Sequence, residues 1–259
     1  MTETENREIV IKVRELHNRF GYQVVHDNLN IDVYRGEILG LVGGSGTGKS
    51  VLMKSIINLI QPQNGTIEIF GKNQAELGEE EKSKERRRFG VMFQDGALFS
   101  SLTVSQNIQV PLKEYFDLSK NLLHEIAALK ISMVGLPALA GPKYPSELSG
   151  GMRKRAGLAR ALALDPEIVF LDEPTAGLDP IGASKFDRLI KQLKETLGLT
   201  VFLVTHDLDT LHAVCDRIAV LADNRVIVVG TIEELIEFDH PWVREYFCGA
   251  RARAAGITG

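Results

Sequence analysis

The sequence predicts an α/β protein in which a mainly parallel sheet with helices is combined with an antiparallel β portion and an inserted helical segment. Three observations indicate this fold. Residues 8–14 and 29–34 alternate apolar and polar side chains, as half-buried strands do. Helical spacing dominates residues 103–160. From residue 167 onward, short apolar strands alternate with amphipathic helices, which is the pattern of βαβ units.

The individual elements follow from local patterns of apolar spacing and turn residues. In the first half we expect a buried strand at 38–42, a helix from Lys49 to Ile60 that Pro62 ends, an exposed-edge strand at 66–70, a solvated helix or loop at 75–88 and a strand at 89–94. The helices of 103–160 should be interrupted at Pro111, at Pro137 and near Gly141. In the second half we expect strands at 167–171 and 200–205, a helix at 184–196, a hairpin at 218–229 that turns on Asp223 and Asn224, and a short helix at 231–237.

Composition excludes several classes of protein. The chain has 259 residues, of which 44% are hydrophobic and 25% charged, as in ordinary globular domains. Its net charge of −4 lacks the positive excess that nucleic-acid binders use to neutralise phosphates. Cys215 and Cys248 are too few and too isolated for a disulfide framework, which favours a reducing compartment.

The apolar segments are too short for a membrane protein. No window approaches the about 20 apolar residues that a spanning helix needs. The acidic start, MTETENREIVIKV, has no basic segment followed by an apolar stretch and so does not resemble a secretory signal. We therefore expect a protein of the cytoplasm whose membrane role, if it has one, comes through a partner.

A glycine-rich loop between a predicted strand and a predicted helix matches the pattern G-x-x-x-x-G-K-[ST]. Its residues are Gly43, Gly44, Ser45, Gly46, Thr47, Gly48, Lys49 and Ser50. Backbone N–H groups in such a loop curve around phosphate oxygens, the lysine reaches the β and γ phosphates, and the hydroxyl ligates Mg²⁺. A plain glycine-rich turn is the alternative, but the strand and helix on either side favour nucleotide binding.

Two carboxylates end the apolar strand IVFLDE, and their side chains alternate faces. Asp172 is expected to hold Mg²⁺, and Glu173 to polarise the water that attacks the γ-phosphate. Acidic residues also commonly end strands at a surface, so the phosphate loop is what favours the catalytic interpretation.

Two polar residues follow predicted strands at the sheet edge where ligands bind in open α/β folds. His206 comes after TVFLVT and can donate a hydrogen bond to a γ-phosphate oxygen. Gln94 ends FGVMFQ, and its amide can contact both the metal and the attacking water. Taken alone, a histidine at such a position is more often a packed or solvated residue, and the glutamine is equally well explained as a surface side chain in a turn.

The segment LSGGMRKRAGLARALAL, residues 148–164, predicts a second anion-binding helix start. Ser149 is a good N-cap, and Gly150 and Gly151 free the backbone to approach a ligand. Since the first loop already forms a phosphate site, the second device is explained if it faces the nucleotide of another copy of the chain. The alternative is an ordinary capped helix.

Taken in this order, these motifs resemble the nucleotide-binding subunit of ABC transporters over about residues 8–235. The resemblance implies a RecA-like core, ATP as the nucleotide and a homodimer that closes on two ATP·Mg²⁺. It also implies roles for particular residues. Ser149, Gly150 and Gly151 would contact the γ-phosphate held by the partner subunit, Asp179 of the AGLD segment would line the dimer seam, Phe20 would stack on adenine, and Ser50, Gln94 and Asp172 would serve the metal.

Within that family, FQDGALFSSLTV, LSGGM, GLDPI, VTHDLDT and HPWVREYF are similar to the ATPases of Mla-type, MCE-associated lipid transport systems. This similarity implies two membrane permease subunits, an MCE-domain protein, often a small STAS-domain protein, and a position on the cytoplasmic face of the inner membrane. It also implies that the region after Gln94 forms the groove for a permease helix. The chain departs from the commonest ABC pattern at Gly44, where proline is usual, and at Met152, where glutamine is usual.

We expect one ABC ATPase domain over residues 1–259. Its predicted parts are a catalytic core at 8–94 and 161–235, a helical subdomain at 95–160 and a C-terminal extension at 236–259. The extension contains an apolar helical face, formed by Trp242, Tyr246 and Phe247. We expect this face to pack on its own domain or on the second subunit of a dimer. The basic run at 84–88 is expected to be solvated.

Three alternative functions remain open from the sequence. One is a soluble ABC ATPase that acts on nucleic acid or the ribosome, although tandem cassettes and long coiled-coil insertions are absent from the sequence. The second keeps the ATPase but changes the cargo to a small solute. The third is a P-loop kinase or phosphotransferase, which would leave LSGGM unexplained.

Overall fold

The structure is a computed structural model that describes residues 7–249. These residues form two compact units. The first contains the described residues up to Lys84 together with those from Thr200, and the second spans Glu85–Leu199.

Strands and helices alternate along most of the chain. The strands are β1 (Ile9–Phe20), β2 (Gln23–Tyr34), β3 (Ile38–Gly43), β4 (Asn64–Ile69), β5 (Lys72–Asn73), β6 (Phe89–Met92), β7 (Ile168–Asp172), β8 (Thr200–Val204), β9 (Arg217–Ala222) and β10 (Arg225–Gly230). The helices are α1 (Lys49–Ile56), α2 (Glu79–Arg86), α3 (Val104–Tyr115), α4 (Lys120–Met133), α5 (Gly150–Ala161), α6 (Pro180–Leu197), α7 (Leu208–Val214), α8 (Ile232–Glu237) and α9 (Pro241–Cys248). Short 3₁₀ turns lie at Ala138–Ala140 and Pro145–Glu147.

An antiparallel sheet in the first unit has the strand order β2-β1-β4-β5. The two predicted N-terminal strands are confirmed, but they extend into one long hairpin. Register shifts and the left-handed residues Glu15 and Asn28 break the alternation there, which is why the pattern did not show the full length. The strand predicted as an edge, β4, instead lies between β1 and the two-residue β5.

The parallel portion of the first unit has the strand order β10-β9-β3-β8, with β3 parallel to both β8 and β9. All six residues of β3 are buried, as expected for a central strand. The predicted hairpin of β9 and β10 is confirmed. Asp223 and Asn224 have φ values of 49° and 60°, which are the left-handed pair that a two-residue type I′ turn requires.

In the second unit, β6 and β7 are parallel and pair from Phe89 with Ile168 to Met92 with Leu171. The helices α3, α4 and α5 belong to this unit, which also contains α6. The helical subdomain that the sequence placed at 95–160 therefore shares its unit with two strands and a further helix, and its exact boundaries remain a prediction. Residues 250–259 of the predicted C-terminal extension lie outside the described part of the chain.

The predicted interruption at Pro111 is wrong, because Pro111 lies inside α3. Buried Ile108 and Leu112 anchor the helix on both sides of the proline. A capping box between Thr103 and Gln106 also fixes the helix start. Tertiary packing thus outweighs the local cost of a proline in a helix, which the sequence pattern alone did not reveal.

The basic run at 84–88 is only partly solvated. Glu85 is buried, and Arg88 donates to it over 3.0 Å and to Glu167 over 2.6 Å. The guanidinium of Arg87 lies 5.4 Å from the ring centroid of Tyr115. Arg87 and Arg88 therefore make contacts within the second unit and are not fully solvated.

Candidate functional site

The phosphate loop connects the buried strand β3 to helix α1, as the sequence predicted. Two of its glycines are required by geometry. A Cβ on Gly43 would lie 2.4 Å from the Leu221 carbonyl oxygen, and one on Gly48 would lie 2.4 Å from Val25. Gly48 also has a φ of +101°, which disfavours any side chain. The loop is therefore a cradle of backbone groups that a Cβ at either position would disrupt.

The ammonium group of Lys49 lies next to this loop. The Nζ atom of Lys49 donates to the carbonyl oxygens of Gly43 and Gly44, each over 2.9 Å. The Thr47 hydroxyl donates to the same Gly44 oxygen over 3.0 Å. Together with the N-terminus of α1, where backbone N–H groups point out of the helix, this arrangement fits a polyphosphate.

A buried polar cluster supports the loop, and the sequence analysis missed it. The Asn18 amide lies 3.0 Å from Nδ1 of His26 and donates over 3.0 Å to the Ser55 hydroxyl of α1. Burial lowers the pKa of His26 to about 4, so the ring beside Gly48 is neutral at pH 7. Two polar residues at positions 18 and 26 on paired strands were the only signal in the sequence.

His206 lies at the strand edge that also carries the phosphate loop. Leu41 of β3 pairs with Val204, the last residue of β8, so Gly43 at the end of β3 and His206 after β8 each lie two residues beyond this pair. The imidazole is exposed, while Thr205 just before it is buried. The hydroxyl of Tyr246 donates to the His206 carbonyl oxygen over 2.8 Å. The position is as predicted, and contact with a γ-phosphate remains a prediction.

Phe20 ends β1 and leads into the hairpin turn at Gly21. Its side chain is 49% exposed, so the ring does not serve the core of this unit. An exposed aromatic ring is available for stacking on a base, as the resemblance implied, and this role also remains a prediction.

In the second unit, the pairing of β6 with β7 brings three of the predicted residues to one sheet edge. Met92 pairs with Leu171, so Gln94 and the carboxylates of Asp172 and Glu173 follow at the same end of their strands. Gln94 is exposed and Asp172 is buried. Glu173 has a φ of +49°, an unusual conformation for a glutamate and one often found where a residue is held for function.

Lys154 of helix α5 joins these two segments, and sequence reasoning missed it. Its Nζ atom donates to the carbonyl oxygens of Gln94 and Glu173, the latter over 3.1 Å. The side chain is buried, and desolvation lowers its pKa while the carboxylates of Asp95, Glu173 and Asp172 oppose that shift. The sequence signal was a lysine on the buried side of the helix that follows LSGG.

Arg160, two turns further along α5, holds the segment that follows Gln94. Its guanidinium donates to the carbonyl oxygen of Ala97 over 2.6 Å and to that of Gly96 over 3.1 Å. Burial lowers the pKa of this guanidinium. Gly96 also packs tightly on α5, because a Cβ on Gly157 would lie 2.8 Å from its Cα.

The start of α5 is as the sequence predicted. Ser149 is the N-cap, accepts from the Met152 N–H over 3.3 Å, and is exposed together with Gly150. The side chain of Leu178 lies 3.8 Å from where a Cβ of Gly151 would stand. Next to it, Asp179 caps α6 by accepting from Gly182 over 2.9 Å. Ser149 and Asp179 are thus both presented at the surface of the second unit.

The residues predicted for the metal are Ser50, Gln94 and Asp172, whose oxygens are of the kind that Mg²⁺ prefers. Within residues 7–249, no three His, Cys, Asp or Glu side chains converge as a metal site of their own. A hydroxyl, an amide and a carboxylate are ligand types that suit an ion which also takes ligands from a nucleotide, and the role of these three residues as Mg²⁺ ligands remains a prediction.

The fold and the phosphate loop define a P-loop nucleotide-binding protein. Residues 26–176 match the ABC transporter family. The ATP-binding cassette MJ0796, solved as a dimer in a post-hydrolysis state with ADP and Pi, is 31% identical with a TM-score of 0.78 over 85% of this chain and 98% of that one. CbiO1 from Clostridium perfringens, part of the transporter complex cbiONQ, is 28% identical with a TM-score of 0.79 over 96% of this chain and 98% of that one.

Three further relatives give the same result. The intermembrane phospholipid transport system ATP-binding protein MlaF of Haemophilus influenzae is 40% identical over 88% of this chain and 86% of its own. MlaF of Escherichia coli K12 is 36% identical over 93% and 89%. The probable ribonucleotide transport ATP-binding protein mkl of Mycobacterium leprae is 38% identical over 96% and 72%.

The chain belongs to the ABC transporter family, and it is an ATP-binding, ATP-hydrolysing subunit. The predicted fold class and the predicted family are therefore confirmed. The alternative of a P-loop kinase is wrong, because the family match includes the LSGGM segment that a kinase would leave unexplained. None of the helices described between residues 7 and 249 is long and apolar enough to span a membrane.

Proposed function

We propose that this chain is the ATPase subunit of an ABC system that moves phospholipids between the inner and outer membranes. One observation carries the proposal: this chain is 40% and 36% identical to two MlaF proteins, over most of its own length and most of theirs. In this role the subunit lies on the cytoplasmic face of the inner membrane, attached through permease subunits, and has no nucleic-acid partner.

The proposed chemistry gives each of the predicted site residues a role toward ATP. Lys49 and the loop amides hold the phosphates, Phe20 stacks on adenine, and His206 donates to a γ-phosphate oxygen. Glu173 accepts the proton of the water that attacks in line. Mg²⁺, when bound with the nucleotide through Ser50, Gln94 and Asp172, neutralises charge that develops on the phosphates.

The proposed dimer explains the exposed start of α5. Ser149, Gly150 and Gly151 would complete the γ-phosphate site of the partner subunit, and Asp179 would line the seam between the two chains. Support comes from the exposure of Ser149, Gly150 and Asp179 and from the similarity to a cassette solved as a dimer. A serine N-cap followed by two glycines is also a suitable device for an anion that arrives from outside the chain.

A groove of about 210 Å³ in the second unit is the proposed seat of a permease helix. Phe99, Val110 and Pro111 give it apolar walls, and Glu114 and Arg160 contribute charges. Arg160 also holds the carbonyls of Gly96 and Ala97, close in sequence to Gln94. A helix in this groove would therefore contact an arginine that is bonded to the segment following the predicted metal ligand, which provides a route from the ATP site to the permease.

An MCE-domain protein and a small STAS-domain protein are the further partners that we propose for the assembled system. The test is to isolate the native complex in detergent through a tag on this chain, and to identify its subunits and bound molecules by mass spectrometry. We expect a multi-spanning permease, an MCE-domain protein and phospholipid enriched over the surrounding membrane. An assembly without lipid enrichment would contradict the proposed cargo while leaving the ATPase assignment intact.

One observation favours a different cargo, because the relative mkl is named as a probable ribonucleotide transport protein. The same preparation separates the two functions. Ribonucleotide retained by the permease or by an associated binding protein, with no enriched phospholipid, would support the second candidate.

A further inference from the structure

Helix α9 packs against two elements of the first unit that carry residues assigned to the phosphates in the proposed function. Its buried residues Val243 and Phe247 pack in one cluster with Val42 at the end of β3 and Leu211 of α7. Val42 immediately precedes the phosphate loop, and α7 immediately follows the His206 segment. Helix α9 is therefore packed against the strand that leads into the phosphate loop and against the helix that follows His206.

Two side chains of α9 lie beside these elements. Tyr246 donates its hydroxyl to the His206 carbonyl oxygen over 2.8 Å. Trp242 places its Nε1 atom 3.7 Å from where a Cβ of Gly44 would stand. The two rings stack with centroids 4.7 Å apart and an angle of 14° between their planes. One aromatic pair thus bridges from the phosphate loop to the histidine.

The segment around His206 is bonded to β3 and also contains short local bonds, since the Thr205 N–H donates to the Leu41 carbonyl oxygen over 3.3 Å. The Asp207 N–H donates to the Thr205 hydroxyl over 3.1 Å, and the Asp207 carboxylate caps α7 by accepting from Asp209 over 3.0 Å. These bonds orient the residues on either side of the histidine. The bond from Tyr246 ties the His206 carbonyl oxygen to helix α9, which lies outside this segment.

We propose that α9 is a brace for the γ-phosphate sensor, in which Tyr246 is a positioning residue for His206 and Trp242 follows the state of the phosphate loop. The inference rests on the proposed role of His206. A hydrogen bond to the peptide oxygen restricts rotation of the 206–207 peptide, and so limits the directions in which the imidazole can leave the backbone. The brace would hold the histidine ready before ATP arrives, so that less ordering is needed in the transition state.

The test uses the full chain and the substitution Tyr246→Phe, which keeps the ring stack and removes only the hydroxyl. We expect kcat for ATP hydrolysis to fall about three- to tenfold, the loss expected for one neutral hydrogen bond, while KM stays within about twofold. Tyr115→Phe is the matched control, because it removes a phenol from α3 and keeps the ring beside Arg87. The control should retain the kcat of the unaltered chain.

A second readout distinguishes positioning from a general structural effect. Trp242 is the single tryptophan of the chain, so its fluorescence reports on α9 alone. We expect a non-hydrolysable ATP analogue to change this emission more than ADP does, and Tyr246→Phe to reduce that difference at least about twofold. Binding of both nucleotides is measured separately by calorimetry.

Either of two results would overturn the brace. One is an unchanged kcat together with an unchanged difference between the analogue and ADP in Tyr246→Phe. The other is a rise in KM with kcat preserved, which would make Tyr246 a binding residue instead. Failure of the unaltered chain to bind either nucleotide would count against the proposed function itself, and the calorimetry separates that case.

Discussion

At the scale of single residues, the most informative contacts are made to main-chain atoms. Lys154 donates to the carbonyl oxygens of Gln94 and Glu173, which are the two residues proposed to act on the metal and on the attacking water. Glu173 also has an unfavourable φ of +49°. A buried cation that holds both peptides stabilises this conformation, so we expect Lys154 to set the position of both side chains.

Replacing Lys154 should affect turnover more than nucleotide binding. We expect Lys154→Met to lower kcat about ten- to a hundredfold, because hydrogen bonds from a charged donor each contribute about 1.5–3 kcal/mol. Lys154→Arg should recover part of that loss, since it keeps the charge and the donors. Arg153→Met is the control on the exposed side of the same helix, and steady-state ATPase assays provide the measurement. Equal kcat for the Met variants at 153 and 154 would contradict a positioning role.

His26 predicts a specific dependence of stability on pH. Its pKa in the folded chain is about 4, below the value of about 6.5 for an unperturbed histidine. Between these pH values the unfolded chain binds a proton that the folded chain does not. The free energy of unfolding should therefore fall as the pH drops below about 6.5, by up to about 1.4 kcal/mol per pH unit from this group.

Urea unfolding at several pH values tests this expectation. His26→Phe should show a shallower loss of stability with falling pH than the unaltered chain, because the titrating group is gone. His124→Gln, a substitution at an exposed position of α4, should keep the original slope. The same slope in all three proteins would show that His26 is not the group responsible.

At the scale of elements, the groove beside α3 makes the permease proposal testable. Phe99 is half exposed and lines the groove, so Phe99→Asp should weaken binding to the permease at least about tenfold by placing a charge in an apolar contact. Leu139→Asp is a matched control, since Leu139 is exposed in the same unit and does not line the groove. Co-purification from membranes measures both, with circular dichroism to verify folding. Equal recovery of the permease with the two variants would exclude this groove as its seat.

Elements with a strong local signal could be predicted from the sequence. The turn at Asp223 and Asn224 and the loop from Gly43 to Ser50 were located correctly because backbone conformation there depends on the residues themselves. The continuation of α3 through Pro111 was not, because buried neighbours on both sides of the proline hold it. Lys154 was missed for a similar reason, since its hydrogen-bond partners are far away along the chain.

At the scale of the whole molecule, the proposed function requires two chains for each nucleotide. We expect Glu173→Gln to bind ATP, to lose nearly all turnover, and so to remain a dimer in the presence of ATP and Mg²⁺. Analytical ultracentrifugation measures this. Lys49→Ala combined with Glu173→Gln is the control, because without phosphate affinity it should sediment as a monomer. A Glu173→Gln chain that is saturated with ATP and still monomeric would contradict the shared site.

The hydrogen bonds that Lys154 donates to two peptide oxygens have a consequence for the evolution of such a protein. An anchor that holds peptide oxygens is indifferent to the side chains those peptides carry. Substitutions at positions 94 and 173 can therefore abolish ATP hydrolysis while the backbone around them keeps its conformation. A duplicated copy that had lost ATP hydrolysis would still have the fold that it needs to pair with an active subunit.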